Sequence, residues 1–217
     1  KLNNSKPKEI FPTGYMYFDY LAKIEKKHHK DYILFAPSWS YSKNNCLDKY
    51  GFELISNLIE QNYKVIFRPH PEHFKRSKGV LNKIKNKFSN QKFKFDENPN
   101  NIETMENAKC LITDSSGIAI EYIIVLKRPV LYLDEHDKIH NTEFKDYSKL
   151  STIDKKIKDN FGVIFKQKDF NKIDLIINNS EKDFEKKLPE LNNFINENFF
   201  NFENTKNFLK SNLKNII

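Results

Sequence analysis

The sequence predicts an α/β fold in which a parallel sheet is wound with helices on both faces. Three observations carry this expectation. Short apolar runs of buried-strand character recur, at 32–36, 63–67, 109–113 and 129–133. Between them lie segments whose apolar residues fall at helical spacing, so that strands and helices alternate, as they do in a parallel sheet. Three of the runs also end abruptly in polar residues, and in such sheets ligands bind outside the carboxyl ends of the strands.

Taken in order, the chain opens with an irregular entry to about residue 19 and a polar connector holding His28 and His29. A strand near 32–36 leads to a helix near 48–61, where Leu54, Ile55, Leu58 and Ile59 share one face. The next strand, near 63–67, is followed by a helix near 75–88, a short strand near 92–95 and a short helix near 101–107. The central strand (109–113) and its helix (117–126) precede a strand at 129–133. Phe161-Gly-Val-Ile-Phe165 reads as the last strand, and helical segments at 169–178, 181–199 and 203–215 close the chain. The expected organisation is an entry segment and connector over 1–30, a Rossmann-like domain over 31–180, and C-terminal helices over 181–217 that pack on it or on a missing N-terminal domain.

Composition narrows the function. The 217 residues suffice for one sizeable core, and no apolar run approaches the roughly 18–20 residues of a membrane span. Against 29 acidic residues stand 37 basic ones, a net +8 that favours polyanionic partners: nucleotide diphosphates, phosphate polymers or an anionic membrane face. Lys75, Arg76 and Lys78 cluster just beyond His70, while Lys83, Lys85 and Lys87 fit the solvated face of a helix. Nucleic acid is disfavoured, since no recognition motif or basic–aromatic platform is present. Cys46 and Cys110 lack metal-type spacing and read as packing residues in a reduced compartment. Five glycines, no Gly-x-Gly-x-x-Gly and no Gly-Lys-Ser/Thr exclude a dinucleotide fingerprint and a P-loop. Asp134-Glu-His-Asp-Lys-Ile-His140 could set His136 and His140 one helical turn apart for a metal, but a polar loop is the simpler reading.

The strand exits carry the chemistry. Leu111-Ile-Thr-Asp-Ser-Ser-Gly117 reads as strand, tight turn and helix: Asp114, Ser115 or Ser116 can cap the helix, and Gly117 admits a ligand close to the backbone. A helix start there offers N–H groups and a positive dipole end to a phosphate. One turn on, Glu121 can accept hydrogen bonds from a ribose. The plainer alternative is an ordinary capped junction. Ile33-Leu-Phe-Ala36 runs into Pro37-Ser-Trp-Ser40, where Trp39 can stack on a base or simply wedge the loop. Val65-Ile-Phe67 runs into Arg68-Pro-His-Pro-Glu72, which brings a fixed cation and a histidine able to move a proton near neutral pH. The three exits should converge on one crevice. His73, by contrast, reads as a loop residue.

These residues, in this order, resemble the C-terminal nucleotide-binding domain of the CDP-glycerol glycerophosphotransferases, teichoic-acid-type polymerases and primases with a GT-B architecture. The matching pieces are 33–39, Phe67-Arg-Pro-His-Pro71, Leu111 to Gly117 with Glu121-Tyr122, Thr13-Gly-Tyr15 with Asp19, and Lys127-Arg-Pro-Val-Leu-Tyr132. Together they span about 12–180. Two departures stand out. The family's Thr-Asp-Tyr-Ser-Ser reads here Thr113-Asp-Ser-Ser-Gly117, so one phosphate-binding hydroxyl is lost. The family's upstream Trp-His-Gly-Thr element, whose His is the expected base, has no counterpart before Thr13. With the start at Lys1, this fits the C-terminal part of a longer enzyme, or a protein lacking the acceptor half.

The resemblance implies that the domain binds a CDP-activated polyol such as CDP-glycerol, and that the intact enzyme passes its phosphopolyol to a hydroxyl of a phosphopolymer or glycan with release of CMP. It assigns His70 and Arg68 to catalysis at the pyrophosphate, and Ser38, Trp39, Thr113, Asp114, Ser115, Ser116, Gly117 and Glu121 to the nucleotide and its phosphates. The scheme calls for no metal and no cofactor. Its setting is cytoplasmic, peripheral on the inner face of a bacterial membrane. Two other readings stay open: a sugar-nucleotide GT-B glycosyltransferase or UDP-N-acetylglucosamine 2-epimerase relative, whose usual Gly-to-Glu spacing is one residue shorter than Gly117 to Glu121, and a non-catalytic nucleotide- or polymer-binding module.

Overall fold

Every apolar run expected as a strand forms one: β1 Tyr32–Phe35, β2 Lys64–Phe67, β3 Phe93–Phe95, β4 Ala108–Thr113, β5 Val130–Leu133 and β6 Val163–Phe165. The computed structural model describes residues 11–23, 31–40, 45–89, 92–133 and 151–216, so His28, His29 and the His136/His140 pair lie outside the described residues. The strands make one sheet in the order β3-β2-β1-β4-β5-β6, with every neighbouring pair parallel. The order reverses between β1 and β4, where doubly wound sheets open a crevice at their carboxyl ends.

Side chains that alternate along each strand divide the core in two. Leu34, Ile66, Leu111 and Val130 face one layer, and Ile33, Phe35, Val65, Phe67, Cys110, Ile112 and Leu131 face the other. Helices cover both. The first layer receives α1 (Met16–Leu21), α5 (Ile102–Asn107), α6 (Ile118–Ile124) and α7 (Ile153–Phe161), and the second receives α2 (Phe52–Glu60) and α4 (Lys78–Lys87), with the single turn α3 (His73–Arg76) before it. A long helix, α8 (Ile173–Asn198), serves both: Ile173 and Ile177 enter the second layer, Phe184, Leu191 and Ile195 the first. The chain ends in α9 (Thr205–Ile216). Among the described residues no helix is long and apolar enough to cross a membrane.

Four elements differ from the sequence expectation. The helix expected over 75–88 is two helices broken at Ser77, whose backbone leaves the helical region and whose hydroxyl instead meets His73 Nδ1 at 3.1 Å. The segments 169–178 and 181–199 become a 3₁₀ turn, Gln167–Lys172, and one unbroken helix. Asn and Ser at 178–180 look like a break in sequence, but buried Ser180 returns its hydroxyl to the Ile177 carbonyl at 2.7 Å and stays helical. Helix α7 was legible in the spacing of Ile153, Ile157 and Phe161, yet it sits beside a long polar stretch. Helix α1 has only six residues, three of them aromatic and one, Asp19, charged yet buried, so it lacks a polar face to mark its period.

Two polar devices fix the ends of this scaffold. Arg128 is 3% exposed, and its Nη1 donates to the carbonyls of Met105, Glu106 and Ala108, a buried cation at the carboxyl end of α5. Gly14 takes φ +90°, and a Cβ there would lie 2.7 Å from the Phe200 carbonyl oxygen and 2.5 Å from Thr205 Oγ1. Buried Asp19 accepts from the Lys206 amide at 3.1 Å, in the first turn of α9. The Thr13-Gly-Tyr15 and Asp19 positions therefore join the two ends of the described chain.

Candidate functional site

Strand register brings the exits to one level. Phe35 pairs with Phe67 and with Ile112, and Phe67 pairs with Phe95, so the residues that follow them emerge side by side. Main-chain bonds continue the ladder one step beyond: the amides of Ala36, Arg68 and Asp96 donate to Ile112, Phe35 and Phe67. The exit after β3, Asp96-Glu-Asn-Pro-Asn-Asn101, is thus a fourth polar constellation that sequence reasoning left out, although its composition matches the other three.

Below the surface, the exits of β1 and β4 are tied together. Thr113 is wholly buried, and its hydroxyl donates to the Ala36 carbonyl at 2.7 Å. Asp114 accepts from the Ser38 amide at 2.7 Å and the Ser38 hydroxyl at 2.5 Å. With both carboxylate oxygens engaged, Asp114 sets the shape of the loop that carries Trp39. Ser38 in turn offers its carbonyl to His73 Nε2, 3.2 Å away. His73 is 0% exposed, so the loop residue of the sequence reading is a packed strut, and burial holds its imidazole below the ordinary histidine pKa.

Above this layer lies a cleft of about 580 Å³. Arg68, His70, Ser116 and Glu121, drawn from different strand exits, line it together with Asn98 and Asn101. Of the other expected residues, Trp39 stacks on His70 with ring centres 6.4 Å apart and has the Arg76 guanidinium 5.1 Å from a ring centre. Ser115 and Gly117 stand exposed at the start of α6. Gly117 has an ordinary helical φ of −58°, and a Cβ there would meet nothing within 4 Å. The backbone there does not require glycine, and the space beside it is open.

The charges are arranged unevenly. Arg68 Nη1 donates to Asp96 at 2.6 Å and Nη2 to the Pro99 carbonyl at 3.2 Å, so its cation is largely matched and it anchors the β3 exit to the cleft wall. Burial would raise the Asp96 pKa, but hydrogen bonds from Thr104, the Asn98 amide and Arg68 outweigh it and hold the carboxyl below its ordinary range. From Asp96 a ladder of side-chain-to-amide bonds, Asp96 to Asn98, Asn98 to Asn100 and Asn100 to Ile102, each 3.0 Å, stiffens the turn into α5. Exposed His70 accepts the Glu72 amide at Nδ1, 3.2 Å, so a neutral ring carries its proton on Nε2. Glu121 is partly buried, which raises its carboxyl pKa, while Asn101 beside it opposes the shift. Lys75 and Arg76 both pair with Glu72, which tempers the basic cluster at this rim.

A second hollow, of about 310 Å³, lies between α1 and the 198–202 turn. It is lined by Phe11, Phe18, Phe199 and Phe202 with no charged side chain, so it is an aromatic packing seam rather than a site for phosphate.

A parallel sheet in Rossmann order, with its polar exits gathered at the reversal point and helices packed behind, makes this a GT-B-like α/β domain. The wall teichoic acid polymerase TagF shares the fold at 20% identity and a TM-score of 0.51, over 90% of this chain and 45% of that one. A Listeria monocytogenes protein assigned as a UDP-N-acetylglucosamine 2-epimerase shares it at 15% identity and 0.52, over 85% and 48%. The chain therefore spans about half the length of the solved structures it matches. No curated protein matches it in sequence. The profile of the CDP-glycerol:poly(glycerophosphate) glycerophosphotransferase family matches residues 5–208, and the chain belongs to that family.

Proposed function

We propose that the cleft binds the nucleotide end of a CDP-activated polyol, CDP-glycerol in the first instance, and that in the intact enzyme the phosphopolyol passes from it to a polymer hydroxyl. The observation that carries this reading is the convergence of Arg68, His70, Ser116 and Glu121 on one cleft at the sheet's reversal point. The acceptor oxygen attacks the β-phosphorus, the bond from that phosphorus to the bridging oxygen breaks, and CMP leaves with the bridging oxygen. The acceptor's proton goes to a base on a segment outside these residues. His70, with its proton on Nε2, donates to the phosphate oxygen that gains charge, and the 114–117 turn at the start of α6, with Ser116, holds the departing phosphate. Arg68 acts chiefly by fixing the wall, because Asp96 already matches its charge. Glu121 receives the ribose hydroxyls. The organisation into entry segment 1–30, nucleotide domain 31–180 and C-terminal helices 181–217, with an acceptor-binding domain elsewhere in the enzyme, belongs to this proposal, as does a peripheral place on an anionic membrane face.

The test is release of CMP. The complete enzyme incubated with CDP-glycerol and a glycerophosphate primer should liberate CMP in step with polymer growth. Turnover of a UDP-sugar instead would transfer the chain to the glycosyltransferase or epimerase reading, and ligand binding without turnover would make it a binding module.

A further inference from the structure

Glu121 reaches the cleft from α6, but two other elements set the direction of its carboxylate. Asn101, at the end of the turn after β3, lines the same cleft beside that carboxylate, whose charged form it favours. Asn101 Oδ1 in turn accepts from Tyr17 Oη on α1, at 3.0 Å. An asparagine amide can turn over with almost no change of shape, which exchanges its donor for its acceptor. The two neighbours remove that freedom. An ionised carboxylate only accepts, so it requires Nδ2, and the oxygen left on the other side requires a donor, which the phenol supplies.

We propose that Tyr17 and Asn101 are positioning residues, which occupy one oxygen of Glu121 and thereby present the other to the ribose hydroxyls of the bound nucleotide. This rests on the nucleotide reading above. Partial burial and the nearby Glu121 charge keep the Tyr17 phenol protonated, as a donor must be. Helix α1 is itself held from outside the sheet, by the Gly14 approach to Phe200 and by Asp19 at the start of α9. The orientation of a cleft carboxylate is thus set by the entry helix, far from it in sequence.

Tyr17→Phe is a clean probe, because the ring contacts with Tyr15 and Tyr20 do not need the hydroxyl. Dissociation constants for CDP and 2′,3′-dideoxy-CDP are measured by titration on the whole 217-residue chain, for the wild type, Tyr17→Phe, Asn101→Ala and Glu121→Ala. The wild type should prefer CDP. Tyr17→Phe and Asn101→Ala should each weaken CDP by roughly 2- to 10-fold, the range of one lost hydrogen bond, and leave the dideoxy analogue unchanged. In the Glu121→Ala background Tyr17→Phe should have no further effect. Equal weakening of both ligands in Tyr17→Phe points to packing and overturns the inference, as does an unchanged preference. A wild type that binds no CDP, or that does not distinguish the two ligands, overturns the nucleotide reading itself. Circular dichroism identifies any misfolded Asn101→Ala, in which case Tyr17→Phe alone decides.

Discussion

Replacing Gly117 by valine separates the site from the scaffold. At φ −58° a side chain is unstrained there, and the new Cβ would find open space to 4 Å, so neither clash nor backbone cost is expected. Folding stability should change by only ~0.5 kcal/mol, the spread of ordinary surface substitutions. If a phosphate sits against the α6 start, however, the isopropyl group occupies the approach, and CDP affinity should fall by ~10-fold or more, about 1.4 kcal/mol. Gly14→Ala is the matched control. Its left-handed backbone would cost about 1–2 kcal/mol for any L residue, and the methyl group would also press on the Phe200 carbonyl at 2.7 Å, so this variant should melt well below the wild type. Thermal denaturation and calorimetric titration of CDP read both quantities on the same samples. Unchanged CDP affinity in a folded Gly117→Val protein refutes the phosphate role of the helix start.

Further expectations follow from the same geometry. His70→Ala should lower CMP release by the complete enzyme by about 10²-fold, whereas Glu121→Ala should mainly raise KM, since ribose contacts are alike in ground and transition states; near-wild-type turnover of His70→Ala returns the chain to the binding-module reading. Because the folded pKa of Glu121 is raised, its favourable contribution is complete below the ordinary glutamate pKa and is lost as pH rises through the folded value. Glu121→Gln should therefore melt above the wild type near neutral pH, with the gap closing toward pH 4. His73 has the opposite sign: its folded pKa is depressed, so its contribution is full above the ordinary value of about 6.5 and is lost as pH falls through the folded one, and His73→Gln should flatten that acid limb of the melting curve. If the proposed acceptor-binding domain supplies the second wall, the 217-residue chain alone should bind CDP with a dissociation constant in the high micromolar to millimolar range, roughly 4–6 kcal/mol, and transfer nothing; turnover on the order of 1 per second by the chain alone rules this out.

The sheet was legible because its central strands β2, β1, β4 and β5 are largely buried on both faces, which leaves uninterrupted apolar runs such as Val65-Ile-Phe67 and Leu111-Ile112. Exits were legible for the same reason, since polarity begins where burial stops. What sequence could not convey was which polar groups are already engaged. Asp114 and Thr113 read as ligand-facing, but their hydrogen-bonding atoms point inward to Ser38 and Ala36. Arg68 read as a free cation because its partner Asp96 lies 28 residues on, across another strand. Asn101 and Tyr17 carried no local signal, for their meaning arises only when three separate elements meet. His73 was hidden by its neighbours, being polar in sequence and closed off only by tertiary packing.

The junction of α1 with α9 also bears on when the cleft becomes complete. Asp19 and the Lys206 amide are 187 residues apart, and Asn201 Nδ2 reaches the Pro12 carbonyl across 189. Contacts of such sequence separation close late, because nearly the whole chain must be fixed before they repay the entropy of the loop between them. Helix α1 packs on the first core layer through Phe18 and Leu21, and the contacts with α9 are the last of its anchors to form. Asp19 already keeps one buried oxygen without a partner among the described residues, and a chain cut short of α9 would leave the other bare as well. A copy lacking α9 would keep its sheet while losing one anchor of the helix that carries Tyr17.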